Sequence, residues 1–279
     1  MFTYSEVILW IGIFTLLFGF ISEYNKHHFR ILGFALIGVF WVTESPYFIY
    51  KSDYVNAALC IITLPLFLYF AYNEYLSKKW DEDPEVMRFL AGGISIGMLI
   101  YFSVQRMPII SGYLIKIVAD HTNVLLNLMG YEFTVGPIMY GETSLFYRTS
   151  YENIRVSIVG SNINIILACT GLQAIAAGGA LIYSTDADSK RKIKSLLVIV
   201  PTLYIANVLR NVMIIYLTYE DITSFYTAHN QIAKTGSVIL LIILMLIVFE
   251  IMPEFYENIM SVISLPKREP IHQKQQKQP

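Results

Sequence analysis

A chain of 279 residues with 55% hydrophobic and only 15% charged residues is more apolar and less charged than an ordinary soluble domain, where about 45–50% and roughly 25% are usual. The net charge is −1, from 20 Lys and Arg against 21 Asp and Glu, so there is no basic excess for a nucleic-acid partner. Two cysteines cannot build a disulfide framework. No Cys/His spacing resembles a zinc site, so neither a metal nor a cofactor is expected.

A membrane-spanning helix needs about 20 mostly apolar residues. In chain order, seven stretches reach or approach that length: Ser5–Ser22, Phe29–Tyr50, Tyr54–Leu76, Val86–Val104, Ile163–Ser184, Ile193–Thr218 and Gly236–Pro253. Met1–Glu6 carries no positive charge, so the first stretch reads as a retained span rather than a signal peptide. Pro46 and Pro65 fall inside spans two and three and predict kinks. The segment Gln105–Asn162 is too long for a bare connector. From Tyr113 to Met129 it places Leu114, Ile117, Val118, His121, Leu125 and Leu128 at helical spacing, which predicts an amphipathic helix on the outer membrane face. The runs Tyr131–Val135, Leu145–Thr149 and Asn153–Val159 predict two or three short strands, with turns at Gly136-Pro137 and Gly141-Glu142. The expected fold is an all-α polytopic membrane protein of about seven helices with a small external helix/β-hairpin insertion. Residues 1–104 form spans one to four, 105–162 the external insertion, 163–260 spans five to seven, and 261–279 a basic tail, disordered from Ile271 to Pro279.

Lys and Arg between spans set orientation. Lys26 and Arg30, then Lys78, Lys79 and Arg88, then Lys190, Arg191, Lys192 and Lys194, then Lys267, Arg268, Lys274 and Lys277 all fall on one side if there are seven spans. The other side has Lys51 and the Lys/Arg-poor insertion. This predicts a multi-pass cell-membrane protein with its N-terminus outside and its C-terminus in the cytoplasm.

Ionisable residues within spans are functional candidates by default. Arg210 lies about 8 residues, or ~12 Å, below the outer end of span six at 1.5 Å per residue. It cannot shed its charge, so it faces the bundle interior or a wet cavity. The plainer reading is a structural Arg bonded to carbonyls or an acid. Asn207 shares its helix face, and Glu44 near the outer end of span two is an available counter-ion. Cys60 reads as an ordinary apolar-helix cysteine. Cys169 is different, because Thr170, Gly171 and Gln173 follow it at once. Gly171 costs helix stability and permits close approach of another backbone. His229 lies in the outer connector between spans six and seven, and His121 in the external helix is a rival imidazole. Cys169, Arg210 and His229 are all expected toward the outer leaflet. A thiolate is a nucleophile whose fraction rises beside a cation or imidazole. A His can protonate a leaving amine, and an Arg can stabilise an oxyanion.

The segment Ala168-Cys169-Thr170-Gly171-Leu172-Gln173 resembles the cysteine motif of the exosortase/archaeosortase family, in its archaeal form. Asn207-x-x-Arg210 resembles the family's arginine motif, and His229 resembles its third basic position. The resemblance implies a membrane cysteine transpeptidase that acts on secreted proteins with a C-terminal signal made of a short motif, an apolar span and a basic tail. For the archaeal members the motif is Pro-Gly-Phe, and the implied substrates include the surface-layer glycoprotein. The new C-terminus is passed to a membrane lipid amine. It implies Cys169 as nucleophile, Arg210 as oxyanion or substrate stabiliser and His229 as general acid/base; Asn207, Thr170, Gly171 and Glu44 are the candidates to stand behind them on their own chemistry. A purely hydrolytic intramembrane cysteine protease uses the same residues. A seven-span transporter or receptor would need a polar path, an internal repeat or a Lys buried in the last span. Lys234 stands only at its mouth, and Ser237–Met252 holds no Lys.

Overall fold

The computed structural model describes residues 4–50, 52–140 and 154–270. The strand expected at Leu145–Thr149, the turn at Gly141-Glu142 and the tail from Ile271 to Pro279 lie outside the described residues. The order is α1 (Tyr4–Ile21), α2 (Lys26–Tyr50), α3 (Tyr54–Trp80), α4 (Glu85–Arg106), α5 (Pro108–Leu128), β1 (Thr134–Tyr140), β2 (Ile154–Val159), β3 (Ile163–Ile166), α6 (Leu172–Ser184), α7 (Ser189–Tyr219), α8 (Lys234–Ile251) and α9 (Pro253–Ser264). Among the described residues, seven helices are long and apolar enough to cross a membrane: α1–α5, α7, and α8 with the turn that leads into it. The protein is therefore an all-α multi-pass membrane protein with one small sheet. Helices α2 and α3 continue through Pro46 and Pro65.

The chain forms two compact units. The first comprises residues 2–96, 180–188 and 253–279, and α2 packs along both α1 and α3 in it. A Cβ on Gly33 would stand 2.7 Å from the Leu16 backbone nitrogen, so only a glycine lets α1 and α2 approach this closely. Arg30 is 1% exposed. It donates to the Gly19 carbonyl at 2.8 Å and to Asp83 at 2.6 Å, and lies 3.5 Å from Glu74. Each contact compensates a charge that would otherwise be costly to bury. Arg268, just past the 3-10 turn Leu265–Lys267, donates to Ser77 Oγ at 2.8 Å and to Glu82 at 3.1 Å.

The second unit comprises residues 97–179 and 189–252. Its sheet is antiparallel in the order β1-β2-β3. Strand β2 alternates, with Ile154, Val156 and Ile158 buried, as a half-buried strand must. These side chains meet Ile115, Val118 and Ala119 of α5 and Val208, Val212 and Ile215 of α7 in one core. Gly136-Pro137, expected as a turn, is instead a bulge inside β1, where the register slips between Val135 and Ile138. Proline lacks a ladder donor, and a bulge accommodates it.

The largest departure from the sequence reading is at Ile163–Ser184. Those residues do not form one helix. They form β3, a 3-10 turn at Leu167–Cys169 and the 13-residue α6. The segment still runs antiparallel to α7. Ile163 packs beside Ile214, Cys169 lies against Asn207 and Asn211, and Gly178 and Gly179 face Ile199 and Leu196. The break between strand and helix falls at Cys169.

Candidate active site

The chain passes from strand to helix around Cys169 by local chemistry. Thr170 is buried. Its hydroxyl donates to the Leu167 carbonyl at 2.7 Å and accepts from the Leu172 N–H at 3.3 Å, which caps α6. Gly171 then takes φ +76°, a left-handed conformation that costs other residues energy. A Cβ on Gly171 would also lie 3.1 Å from the Cβ and Cγ of Asn207.

The Cys169 carbonyl receives two side-chain donors from α7. Asn207 Nδ2 donates at 2.6 Å and Asn211 Nδ2 at 2.9 Å. The two residues are one turn apart on the same helix face. The carbonyl freed by breaking the helix is thus doubly satisfied, and the nucleophile candidate is tied to the helix that carries Arg210. Asn207 was among the residues singled out from sequence, and Asn211 was not. The available signal was an amide four residues beyond Asn207 in an apolar span.

Arg210 lines a cavity of about 500 Å³ with Ala168, Gly171, Gln173 and Asn207 on one side and Ala233, Gly236 and Ser237 on another. Among the described residues Arg210 makes no hydrogen bond or ion pair, so its guanidinium is available to a ligand. Its charge acts electrostatically on both the Cys169 thiol and the His229 ring. His229 lies in a π-helical stretch, Thr227–Ala233, a wide turn that recurs at functional sites. The buried Ala228 and Ala233 pack that stretch against Ile214 of α7, and the His229 ring stacks on Phe225 at 5.3 Å. The structure thus joins the Cys169 carbonyl to Asn207 and Asn211, with the charge of Arg210 within electrostatic reach of the Cys169 thiol and the His229 ring. His121 is placed differently, its Nδ1 hydrogen-bonded to the Tyr204 hydroxyl of α7 and its ring edge-on to that tyrosine. Glu44 is half-buried on α2, in the other unit. Among the described residues no cluster of three His, Cys, Asp or Glu side chains could hold a metal ion.

Fold and site together define a multi-pass membrane protein with a thiol at the break of a discontinuous segment and a cationic cavity beside it. The chain belongs to the transmembrane exosortase family, since the family model described as transmembrane exosortase (Exosortase_EpsH) matches residues 4–249. It is similar to archaeosortase A of Haloferax volcanii, 26% identical over 228 residues that cover 75% of this chain and 70% of that one. It is also similar to archaeosortase A of Natronomonas pharaonis, 23% identical over 223 residues, or 76% of this chain and 66% of the relative, just under two thirds of that protein's length. No solved structure matches the chain.

Proposed function

We propose that this protein is a membrane cysteine transpeptidase. It cleaves a C-terminal tripartite signal of the Pro-Gly-Phe type from secreted surface proteins, the surface-layer glycoprotein among them, and passes the new C-terminus to a membrane lipid amine. The observation that carries the reading is Arg210 in the wall of a cavity also lined by Ala168 and Gly171, which bracket Cys169, in a chain of this family whose relatives are archaeosortases.

The Cys169 thiol gives its proton to His229, and the thiolate attacks the scissile carbonyl. The tetrahedral oxyanion forms beside Arg210, whose fixed charge favours it in a low-dielectric site. Collapse breaks the C–N bond, and the imidazolium returns its proton to the departing amine. The signal helix leaves, and a thioester remains on Cys169. A lipid amine attacks that carbonyl and loses a proton to the imidazole. The amide forms and the thiol is regenerated. Water in place of the amine gives simple hydrolysis.

Orientation follows from the distribution of Lys and Arg. The basic ends at Lys26/Arg30, Lys78/Lys79, Lys190–Lys194 and Lys267/Arg268 lie in the cytoplasm, so the N-terminus is outside. The break at Cys169 then lies toward the outer leaflet. The surface helix expected at Tyr113–Met129 is instead part of α5, which is long and apolar enough to cross a membrane and runs along α7, with His121 on Tyr204 midway along α7 and Tyr131 donating to Glu220 at 2.6 Å past the ends of both helices.

The test is coexpression of a membrane-anchored Pro-Gly-Phe substrate with the wild type or with Cys169→Ala, read by intact mass spectrometry. Loss of the signal helix with gain of a lipid mass is expected only with the wild type. Cleavage without added lipid would leave a protease. Normal processing by Cys169→Ala would remove the nucleophile assignment.

A further inference from the structure

Helix α8 is the least covered of the seven long helices. Only 17% of its apolar window is buried, and Leu244 and Val248 are its only buried side chains among the described residues. Its exposed residues, including Val238, Ile239, Ile242 and Ile243, are those of a lipid-facing helix. Yet one face of its first turns lines the 500 Å³ cavity through Gly236, Ser237, Leu240 and Leu241. The facing wall is the stripe of α7 that carries Leu203, Ala206 and Arg210.

Gly236 has no reason to be glycine inside this chain. A Cβ there would meet nothing within 4 Å, and glycine weakens a helix relative to alanine. Its smallness leaves room for something outside the chain to come closer than a methyl group allows. In lipid, close approach at small residues is how helices pack together. An acyl chain needs no aligned small residues. An incoming helix also ends in a peptide backbone with carbonyl groups, which the free Arg210 and the side chain of Gln173 can receive at the cavity's polar end. Continuity of the groove with that polar end orders the occupant: apolar helix along α8, scissile peptide at Cys169.

We infer that the groove between α7 and α8 is the docking site for the substrate's own apolar segment, bound as a transmembrane helix that enters laterally past α8 and packs its backbone on Gly236. The inference rests on the transpeptidase reading for the identity of the substrate. It does not need the chemical step to be a transfer.

A photoreactive benzophenone residue in place of Leu240, in full-length Cys169→Ala coexpressed with the Pro-Gly-Phe substrate, tests it. The expected result is adducts on the substrate's apolar segment at residues three or four apart. Gly236→Leu is expected to reduce processing at least tenfold in the otherwise native protein, and to reduce the adducts at least tenfold in the photoreactive Cys169→Ala protein. Gly236→Ala should raise thermal stability while reducing processing, because the added methyl meets open space in the free protein. Adducts on lipid alone, or processing unchanged in Gly236→Leu, would overturn the docking site while leaving the transpeptidase reading intact. Periodic substrate adducts with no processing by the wild type would support the docking site and remove the transpeptidase reading.

Discussion

The Asn211 side-chain amide, 3% exposed in the wall of α7, donates a 2.9 Å hydrogen bond to the backbone carbonyl of Cys169. With Asn207 at 2.6 Å on the same oxygen, it fixes the strand-to-helix break to the helix that bears Arg210. A buried carbonyl deprived of donors costs about 1–3 kcal/mol, and small displacements of a reacting group are expensive in rate. Asn211→Asp keeps the shape but replaces the donor with an acceptor. It is expected to lower processing by about 10- to 100-fold. Asn207→Ala should have a smaller effect, because it removes one donor without placing a carboxylate against the Cys169 carbonyl. Processing rates by mass spectrometry, with membrane yield as a folding control, check both.

Gly171 is a second fixed point. Its φ of +76° disfavours any L side chain by about 1–2 kcal/mol. The new Cβ of Gly171→Ala would press on Asn207, whose amide holds Cys169. The expected outcome is a loss of processing of about tenfold or more, from strain and displacement of Asn207 together. Gly178→Ala, within α6, is the control. Its Cβ would meet Ile199 at an ordinary 3.7 Å, and processing should be unchanged.

Much of this arrangement was legible before the structure. The depth of Arg210 in an apolar span and the small polar residues after Cys169 carried their own physical meaning, and Arg210, Ala168 and Gly171 line one cavity. The break at Cys169 was not legible as such. Ile163–Ile166 is β-branched and apolar, and a short apolar run fits a buried strand as well as a helix. Pairing with β2 decides the matter, and pairing is not a local property. Asn211 was passed over because an amide inside a span has no periodic signature. Its role appears only when the Cys169 carbonyl, left without a helical partner, needs a donor. The Gly136-Pro137 dipeptide was read as a turn for sound local reasons, but a bulge satisfies the same constraints inside a strand.

Arg210 also makes the reactivity of Cys169 predictable. A nearby cation favours a thiolate, and the guanidinium acts electrostatically on this thiol. Alkylation by iodoacetamide follows the thiolate fraction. In a Cys60→Ala background, Arg210→Gln is expected to slow labelling of Cys169 by about three- to tenfold at pH 7.5. Arg210→Lys, which keeps the charge, should retain most of the rate while losing the planar donor geometry needed by an oxyanion. It therefore labels well and processes poorly. Equal labelling in wild type and Arg210→Gln would remove the electrostatic coupling.

The buried charges of the first unit make a separate prediction about stability. Arg30 bridges the Gly19 carbonyl, Asp83 and Glu74, and Lys26 adds a 2.7 Å contact to Asp83. Removing one partner from a buried ionic group costs about 3–5 kcal/mol, so Arg30→Met should lower the melting temperature in detergent markedly. Asp83 lies outside the helices, in the connection between α3 and α4. Its burial favours the neutral acid, but hydrogen bonds from Lys26 and Arg30 outweigh that and hold its carboxyl below the ordinary carboxylate range. A group with a depressed folded pKa binds fewer protons folded than unfolded. Its contribution is therefore complete above the unfolded value near 3.9 and lost as pH falls through the lower, folded value. The wild type is expected to lose melting temperature on acidification below about pH 4. Asp83→Asn should be less stable than the wild type at pH 7 and show a shallower decline over that interval, as measured by scanning fluorimetry at a series of pH values. A decline equally steep in both proteins would place the acid sensitivity elsewhere in the fold.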